Sequence, residues 1–279
     1  MTFTPNTTYS WQIGYQAALN KVRSQLTHAP ENFPIRLAKK TSNLFRDRAA
    51  TQANGLDVSS FSSVFEVDPV NHTAEVGGMT TYEDLVAATL PYGLMPLCVP
   101  QLRTITLGGA VTGLGIESAS FRNGTPHESV LEMDILTGTG EVITVSGQEN
   151  DPHRDLFFTF PNSYGSLGYA LRLKIELEPT KPFVHISHLR FDSAAALTVA
   201  MKDLSASAMF NESPVHFLDG TVFSPTEHYL TVGTMVAAVP VGRSTSDYTG
   251  MSIYYRSIQS LTEDYLTIHD YLWRWDTDW

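Results

Sequence analysis

The sequence predicts an α+β fold in two parts, and three observations carry that reading. First, "YALRLKIELEP" alternates apolar Leu171, Leu173, Ile175 and Leu177 with charged Arg172, Lys174, Glu176 and Glu178, the period of a half-buried strand. Second, two hairpin patterns, Val64–Asp68 with Thr73–Val76 and the pair that turns at Gly138–Gly140, lie among helical ones. Third, the pattern restarts after "EPTKPF" as strand, helix and strand pair. A chain of 279 residues that is 42% hydrophobic accommodates one large or two ordinary domains.

Taken in order, Trp11, Tyr15, Leu19, Val22 and Leu26 recur at helical spacing and open the chain with an amphipathic helix packed on the next domain. A membrane-surface helix is the weaker reading, because Lys21 and Arg23 alone supply charge for anionic lipid. Phe33 to Ala38 reads as a short strand leading into a polar loop. Arg36, Lys39, Lys40, Arg46 and Arg48 crowd into thirteen residues there, which marks either a local anion or a solvated charged loop. In "TTYEDLVAATLPYG", Thr80 and Glu83 have capping-box spacing, Tyr82, Leu85, Val86 and Leu90 share a face, and Gly93 sits at the C-cap. The stretch "TLGGAVTGLGIESASFRNG" then holds five glycines in nineteen residues. With apolar Leu107, Val111, Leu114 and Ile116 around them, these glycines predict a buried segment that faces a ligand. Beyond Pro179 and Pro182, "FVHISHLRF" reads as a strand, "SAAALTVAMKDLSAS" as a helix and "FLDGTVFSPTEHYLTVGTMVAAV" as two strands.

Composition narrows the function. A net charge of −11 repels phosphate backbones and argues against nucleic acid. The single cysteine, Cys98, excludes an internal disulfide framework and fits a reducing compartment. The start carries no signal-peptide pattern, and the apolar runs are too short to span a bilayer, so a cytoplasmic protein without a transmembrane segment is expected. The glycines at Gly113 and Gly115 fail the dinucleotide fingerprint because Ser118 occupies the third glycine's place. "TGTGE" lacks the Lys-Ser/Thr of a phosphate loop and reads as a tight turn. His185 and His188 fall on opposite faces of one strand, so no metal site is expected, and no G-x-S-x-G elbow is present.

With "KKTSN", "GLGIES" and "GSLG…LKIELEP" in this order, the chain resembles the FAD-binding domain of the vanillyl-alcohol oxidase (PCMH-type) superfamily, and within it the delta-24 sterol reductase branch. The resemblance implies an N-terminal helix at 1–29, a two-subdomain PCMH-type FAD-binding domain at 30–182, and a partial α+β cap, or substrate, domain at 183–279. It places Lys40, Thr41, Ser42, Asn43 and Leu44 in the pyrophosphate loop and Pro100 to Leu107, Thr106 included, on the run toward the flavin ring. It implies close backbone approach to the cofactor at Gly108, Gly109, Gly113 and Gly115, with Thr112, Ile116, Glu117 and Ser118 in the same stretch. Gly165, Gly168 and Ile175 match the segment around the adenosine half. Many relatives attach the flavin through a histidine in the pyrophosphate loop; no histidine lies between His28 and His72 here, so FAD is expected to bind noncovalently.

The implied activity is that of an FAD-dependent oxidoreductase on a small-molecule substrate. In the reductase branch, hydride passes to an alkene of a sterol-like or other lipophilic substrate, with NADPH as the electron donor. The alternatives are an FAD-linked alcohol oxidase or dehydrogenase, and a flavin-binding remnant without turnover. Relatives continue past the equivalent of Trp279, so the chain is expected to be C-terminally truncated, with the aromatic tail Tyr271 to Trp279 exposed. Tyr254, Tyr255, His269 and Tyr271 are available as acids or bases, but no spacing selects one of them as catalytic.

Overall fold

The structure is a computed structural model that describes residues 10–27, 36–38 and 55–278. In order it forms α1 (Ser10–Thr27), β1 (Arg36–Leu37), β2 (Gly55–Leu56), β3 (Val64–Asp68), β4 (Thr73–Gly77), α2 (Tyr82–Thr89), β5 (Leu94–Pro96), α3 (Leu107–Gly113) and α4 (Ser120–Asn123). Then come β6 (Val130–Leu136), β7 (Val142–Ser146), α5 (Arg154–Thr159), β8 (Tyr169–Pro179), β9 (Phe183–Phe191) and α6 (Ala194–Ser207). The rest is β10 (Met209–Phe210), β11 (Ser213–Pro214), β12 (Phe217–Ser224), β13 (Glu227–Val236), α7 (Tyr254–Ser260), β14 (Glu263–Thr267) and α8 (Ile268–Leu272). The α+β class stands. The chain divides into two compact units that no single cut in sequence produces. Unit 1 comprises Met1–Ala88, Thr104–Gly113 and Val130–Glu176; unit 2 comprises Thr89–Arg103, Leu114–Ser129 and Leu177–Trp279.

In unit 1, an antiparallel sheet runs β3-β4-β8-β6-β7. Both predicted hairpins are its outer pairs, β3 with β4 and β6 with β7. Alternation along β8 buries Leu171, Leu173 and Ile175. It also buries Arg172, which the sequence places on the outward face. The Arg172 guanidinium donates from Nε to Asp134 (2.9 Å) and from Nη1 to Glu75 (2.6 Å), and it also pairs with Glu132. Burial alone would lower its pKa, but these three carboxylates raise it well above the usual value. Helix α1 forms as its spacing predicts. Its Ala18, Leu19 and Val22 pack with Leu56, Val58, Phe61, Leu136 and Leu171. Tyr15 donates its hydroxyl to Asp134 (2.6 Å), which ties the helix to the same ionic cluster.

Two local expectations shift. The N-terminal box of α2 is made one residue later than Thr80–Glu83: Thr81 Oγ1 accepts from the Asp84 N–H (3.2 Å) and donates to its carboxylate (2.7 Å). Thr80 itself is buried. The glycine-rich run is not uniformly buried either. Leu107 and Val111 are, whereas Leu114 and Ile116 are 45% and 80% exposed. Part of the run is helical because Ala110 N–H reaches Thr106 O (2.9 Å) and turns Leu107–Gly113 into α3.

Unit 2 carries the antiparallel sheet β12-β13-β9-β14. The predicted strand, helix and strand pair are β9, α6, β12 and β13, and the Ser193 side chain caps α6 by accepting from Ala196 N–H. The C-terminal aromatics differ from expectation. Tyr271 and Trp273 are buried, as is Arg274. The reason is local: the Arg274 guanidinium lies 3.8 Å from the Tyr271 ring centroid and donates to Asp219 (2.5 Å), which draws the segment into the core of the unit. Cys98 is buried as well, 3.5 Å from the Ser120 hydroxyl, and burial pushes its thiol up to about 12.

Candidate functional site

A cavity of about 760 Å³ lies within unit 1. Its walls come from five places in the chain. The β1–β2 pair contributes Arg36, Leu37 and Gly55, and the turn after β4 contributes Gly78 and Met79. Thr106 and the α3 residues Gly108, Gly109 and Thr112 form another wall. The turn ahead of β8 adds Tyr164 and Gly165, and β8 itself adds Tyr169 and Ala170.

Backbone packed on backbone builds this cradle. Gly78 N–H donates to Leu171 O (2.8 Å), Gly108 N–H to Gly78 O (2.9 Å) and Leu107 N–H to Thr80 O (2.9 Å). A Cβ on Gly78 would stand 2.0 Å from Ala170 O, and one on Gly108 would stand 2.7 Å from Gly78 O. Glycine is therefore required at both positions by main chain of the protein itself, and the cavity inherits a wall poor in side chains. The N–H groups of Gly108 and Gly109 are used internally, the second by Thr106 Oγ1 (3.3 Å). What these two residues give the lining is main chain without a projecting side chain.

The chemistry of the lining is selective. Among the described residues it holds one formal charge, Arg36, and no carboxylate, in a chain of net charge −11. Thr106 and Thr112 supply hydroxyls, the latter donating to Gly108 O (2.8 Å). Burial raises the pKa of the Tyr169 phenol.

Of the residues singled out in the sequence, Thr106, Gly108, Gly109, Thr112 and Gly165 line the cavity. Lys40, Thr41, Ser42, Asn43 and Leu44 lie outside the described residues, as do Lys39, Arg46 and Arg48. Leu107 and Ile175 are core residues of unit 1. Gly113 ends α3, where an added Cβ would meet nothing within 4 Å. Gly168 does not line the cavity; its φ of +134° and a Cβ position 2.3 Å from Leu136 O require glycine there. Pro100, Gly115, Ile116, Glu117 and Ser118 belong to unit 2. There Glu117 and Ser118 share a cavity of about 10 Å³ with Gln101, Tyr271 and Arg274, enough for roughly one water. Burial pushes the Glu117 carboxyl up to about 8; the charge of Asp219 acts in the same direction, and Gln101 N–H and Arg274 oppose it. Gly78, Gly55, Tyr164 and Tyr169 escaped the sequence reading. The one signal was the Gly77–Gly78 pair directly after an alternating strand, where a chain must pass close to its neighbours. Among the described residues, no group of three or more His, Cys, Asp or Glu side chains is placed to hold a metal ion. No described helix is long and apolar enough to cross a membrane.

Comparison with known proteins bears on this cavity. The FAD binding domain family matches residues 19–146. The chain is 32% identical to cytokinin dehydrogenase 7 of Oryza sativa subsp. japonica over 148 residues, which cover 53% of this chain and 28% of that protein. It is 27% identical to the Delta(24)-sterol reductase of Arabidopsis thaliana over 181 residues, 64% of this chain and 32% of that one. It is also 27% identical to the Delta(24)-sterol reductase of Homo sapiens over 172 residues, 62% of this chain and 32% of that one. The chain thus spans about a third of the length of these curated relatives.

Proposed function

We infer, for a chain whose residues 19–146 belong to the FAD binding domain family, that it binds FAD noncovalently in the unit 1 cavity and serves flavin-dependent oxidation–reduction. One observation carries the reading: a cavity walled by glycine main chain whose lining, among the described residues, holds Arg36 and no carboxylate, in a strongly acidic protein. That lining fits a long ligand with an anionic middle and planar ends. Arg36 would balance phosphate charge, and Thr106 and Thr112 would meet phosphate or ribose oxygens. Gly78, Gly108 and Gly165 would let the ligand lie against backbone, and Leu37 and Met79 would exclude water from its apolar parts. Bound FAD supplies the redox chemistry, taking or giving a hydride at its ring.

The likeness to two Delta(24)-sterol reductases supports reduction of an alkene in a sterol-like or other lipophilic substrate with NADPH as donor. The likeness to a cytokinin dehydrogenase supports the second reading, oxidation of a small-molecule substrate. A cytoplasmic location accompanies either.

The purified protein should carry flavin absorbance. Acid precipitation should release the colour to the supernatant, since no histidine lies between His28 and His72. Colour retained in the pellet would refute noncovalent binding, and a protein that takes up no flavin would refute the assignment. Anaerobic bleaching of bound flavin by NADPH separates the reductase reading from the second one.

A further inference from the structure

We propose that Gln25, on the N-terminal helix α1, is a positioning residue that fixes two walls of the cavity for the bound dinucleotide. The proposal rests on the FAD reading of the cavity.

One of these walls has little means of fixing itself. β1 and β2 form a separate sheet of two residues per strand, with Arg36 paired to Gly55 and Leu37 to Leu56. Arg36, Leu37 and Gly55 line the cavity. A two-stranded sheet standing alone is marginal in water, so its place depends on what packs against it. Helix α1 does so: Leu19 and Val22 pack with Leu56, and Leu37 lies against the same cluster. Apolar packing presses the pair inward, but it is non-directional and sets no register.

The Gln25 amide supplies the direction. Its Oε1 accepts from Asp57 N–H (2.8 Å) and its Nε2 donates to Asp57 O (3.1 Å). One side chain thus grips both main-chain polar groups of the residue that follows β2. From Asp57 the chain reaches two walls. Toward the first, Ala38 N–H donates to Leu56 O (2.8 Å) and ties β1 to β2. Toward the second, the Asp57 carboxylate accepts from Ser59 N–H (3.0 Å) at the start of the helical turn Ser59–Phe61. Phe61 O then accepts from the N–H of Met79 (2.9 Å), which lines the cavity beside Gly78. Lys21 also reaches Asp57, through an ion pair at 2.6 Å, but the two side chains are 53% and 41% exposed, and such a pair contributes little. The directional grip of α1 on this node is therefore the Gln25 amide.

The test compares the full chain with Gln25→Met, which keeps the stem and removes the amide, and with Lys21→Met, which removes the ion pair from the same helix. FAD binding is titrated, and amide hydrogen exchange is followed without cofactor. Gln25→Met should bind FAD about tenfold more weakly, because a wall that is in place only part of the time lowers apparent affinity by that fraction. The Ala38 and Met79 amides should exchange about tenfold faster, while those of Leu173 and Ile175 in β8 keep the parent's rate. Lys21→Met should stay within about twofold of the parent in both measurements. Unchanged FAD affinity in Gln25→Met overturns the proposal, as does an equal loss in Lys21→Met. Faster exchange at Leu173 and Ile175 to the same degree as at Ala38 also overturns it, by showing that the amide stabilises the whole unit and not these walls. A parent that binds no FAD defeats the cofactor reading and this proposal with it; a parent and a Gln25→Met variant that bind equally well defeat this proposal alone.

Discussion

Gly78→Ala is a severe test of how the cavity wall is made. The added methyl carbon would sit 2.0 Å from Ala170 O and 2.8 Å from Ala170 C, both main-chain atoms of β8. Relief would require a shift of more than about 1 Å to reach ordinary contact distance. Gly78 cannot shift freely, because its N–H donates to Leu171 O (2.8 Å) and its carbonyl accepts from Gly108 N–H (2.9 Å). Overpacking alone costs typically 1–3 kcal/mol. Breaking one of the flanking bonds leaves a buried peptide group unsatisfied, for about 1–3 kcal/mol more. The expected loss is therefore about 2–6 kcal/mol, or a melting temperature lower by roughly 10 °C for a unit of this size. Gly113→Ala is the control: it meets nothing within 4 Å and lies at the end of α3, so it should be neutral or gain up to about 1 kcal/mol. Thermal melts of the two variants without cofactor decide the matter. A Gly78→Ala protein that melts within 2–3 °C of the parent, by the same conversion about 1 kcal/mol, would refute the backbone-contact account.

Two further perturbations probe buried charge. In unit 2, the Glu117 carboxyl is raised to about 8 from an ordinary 4.5, so the unfolded chain ionises it at lower pH than the folded one does. Its contribution is a loss of stability that grows from about pH 4.5 to about pH 8 and is constant above that. Glu117→Gln should thus match the parent near pH 4.5 and melt several degrees higher at pH 8; a difference independent of pH would count against the assignment. In unit 1, Arg172→Met leaves Glu75, Glu132 and Asp134 without their shared cation and should cost about 3–5 kcal/mol. The loss, read from urea midpoints, should be smaller at pH 5 than at pH 8 as carboxyls protonate, and an unchanged midpoint would show the cluster to be dispensable.

Period and turn chemistry made much of the fold legible. The hairpins, α1, α2, β8 and the strand–helix–strand-pair order of unit 2 follow from apolar spacing and from Gly, Pro and Thr at the ends. Arg172 was misplaced because alternation says which side a residue faces, not what awaits it there; three carboxylates from other strands made a buried arginine tolerable. The C-terminal aromatics were misplaced for the same reason, since the Arg274–Asp219 pair that anchors them joins positions 55 residues apart. Glycine is the subtler case. The sequence records that a Cβ is missing, but not what fills its place. Protein backbone stands where the Cβ of Gly78, Gly108 or Gly168 would be, the Thr106 hydroxyl stands there at Gly109, and Gly113 faces open space, while Gly78, Gly108, Gly109 and Gly165 all line the cavity. Residue type does not separate these, so the glycine-rich stretch marked one wall of the cavity, at Thr106, Gly108, Gly109 and Thr112, together with a continuation from Leu114 that belongs to unit 2.

The sorting of charge within unit 1 yields the last prediction. Glu66, Asp68, Glu75 and Glu132 line a separate groove with Arg172 and Lys174, while the large cavity, among the described residues, has Arg36 and no acid. If phosphate is the ligand, that separation matters: two like charges 4 Å apart repel by about 1 kcal/mol in water and about 4 kcal/mol at the effective dielectric of a protein surface. Introducing an acid into the cavity should therefore abolish much of the affinity. Thr112 is a suitable position, since it lines the wall and its hydroxyl bonds only back to its own helix, to Gly108 O (2.8 Å) and weakly to Gly109 O (3.4 Å). Thr112→Glu should weaken FAD binding by about tenfold or more at low ionic strength, each tenfold corresponding to about 1.4 kcal/mol. Thr112→Gln, of nearly the same size and uncharged, isolates the electrostatic part and should bind much closer to the parent. Raising salt to about 1 M contracts the Debye length to about 3 Å and should narrow the gap between the two variants. Equal affinities for the Glu and Gln variants at low salt would mean that no phosphate lies near this wall, and the anionic reading of the cavity would fall.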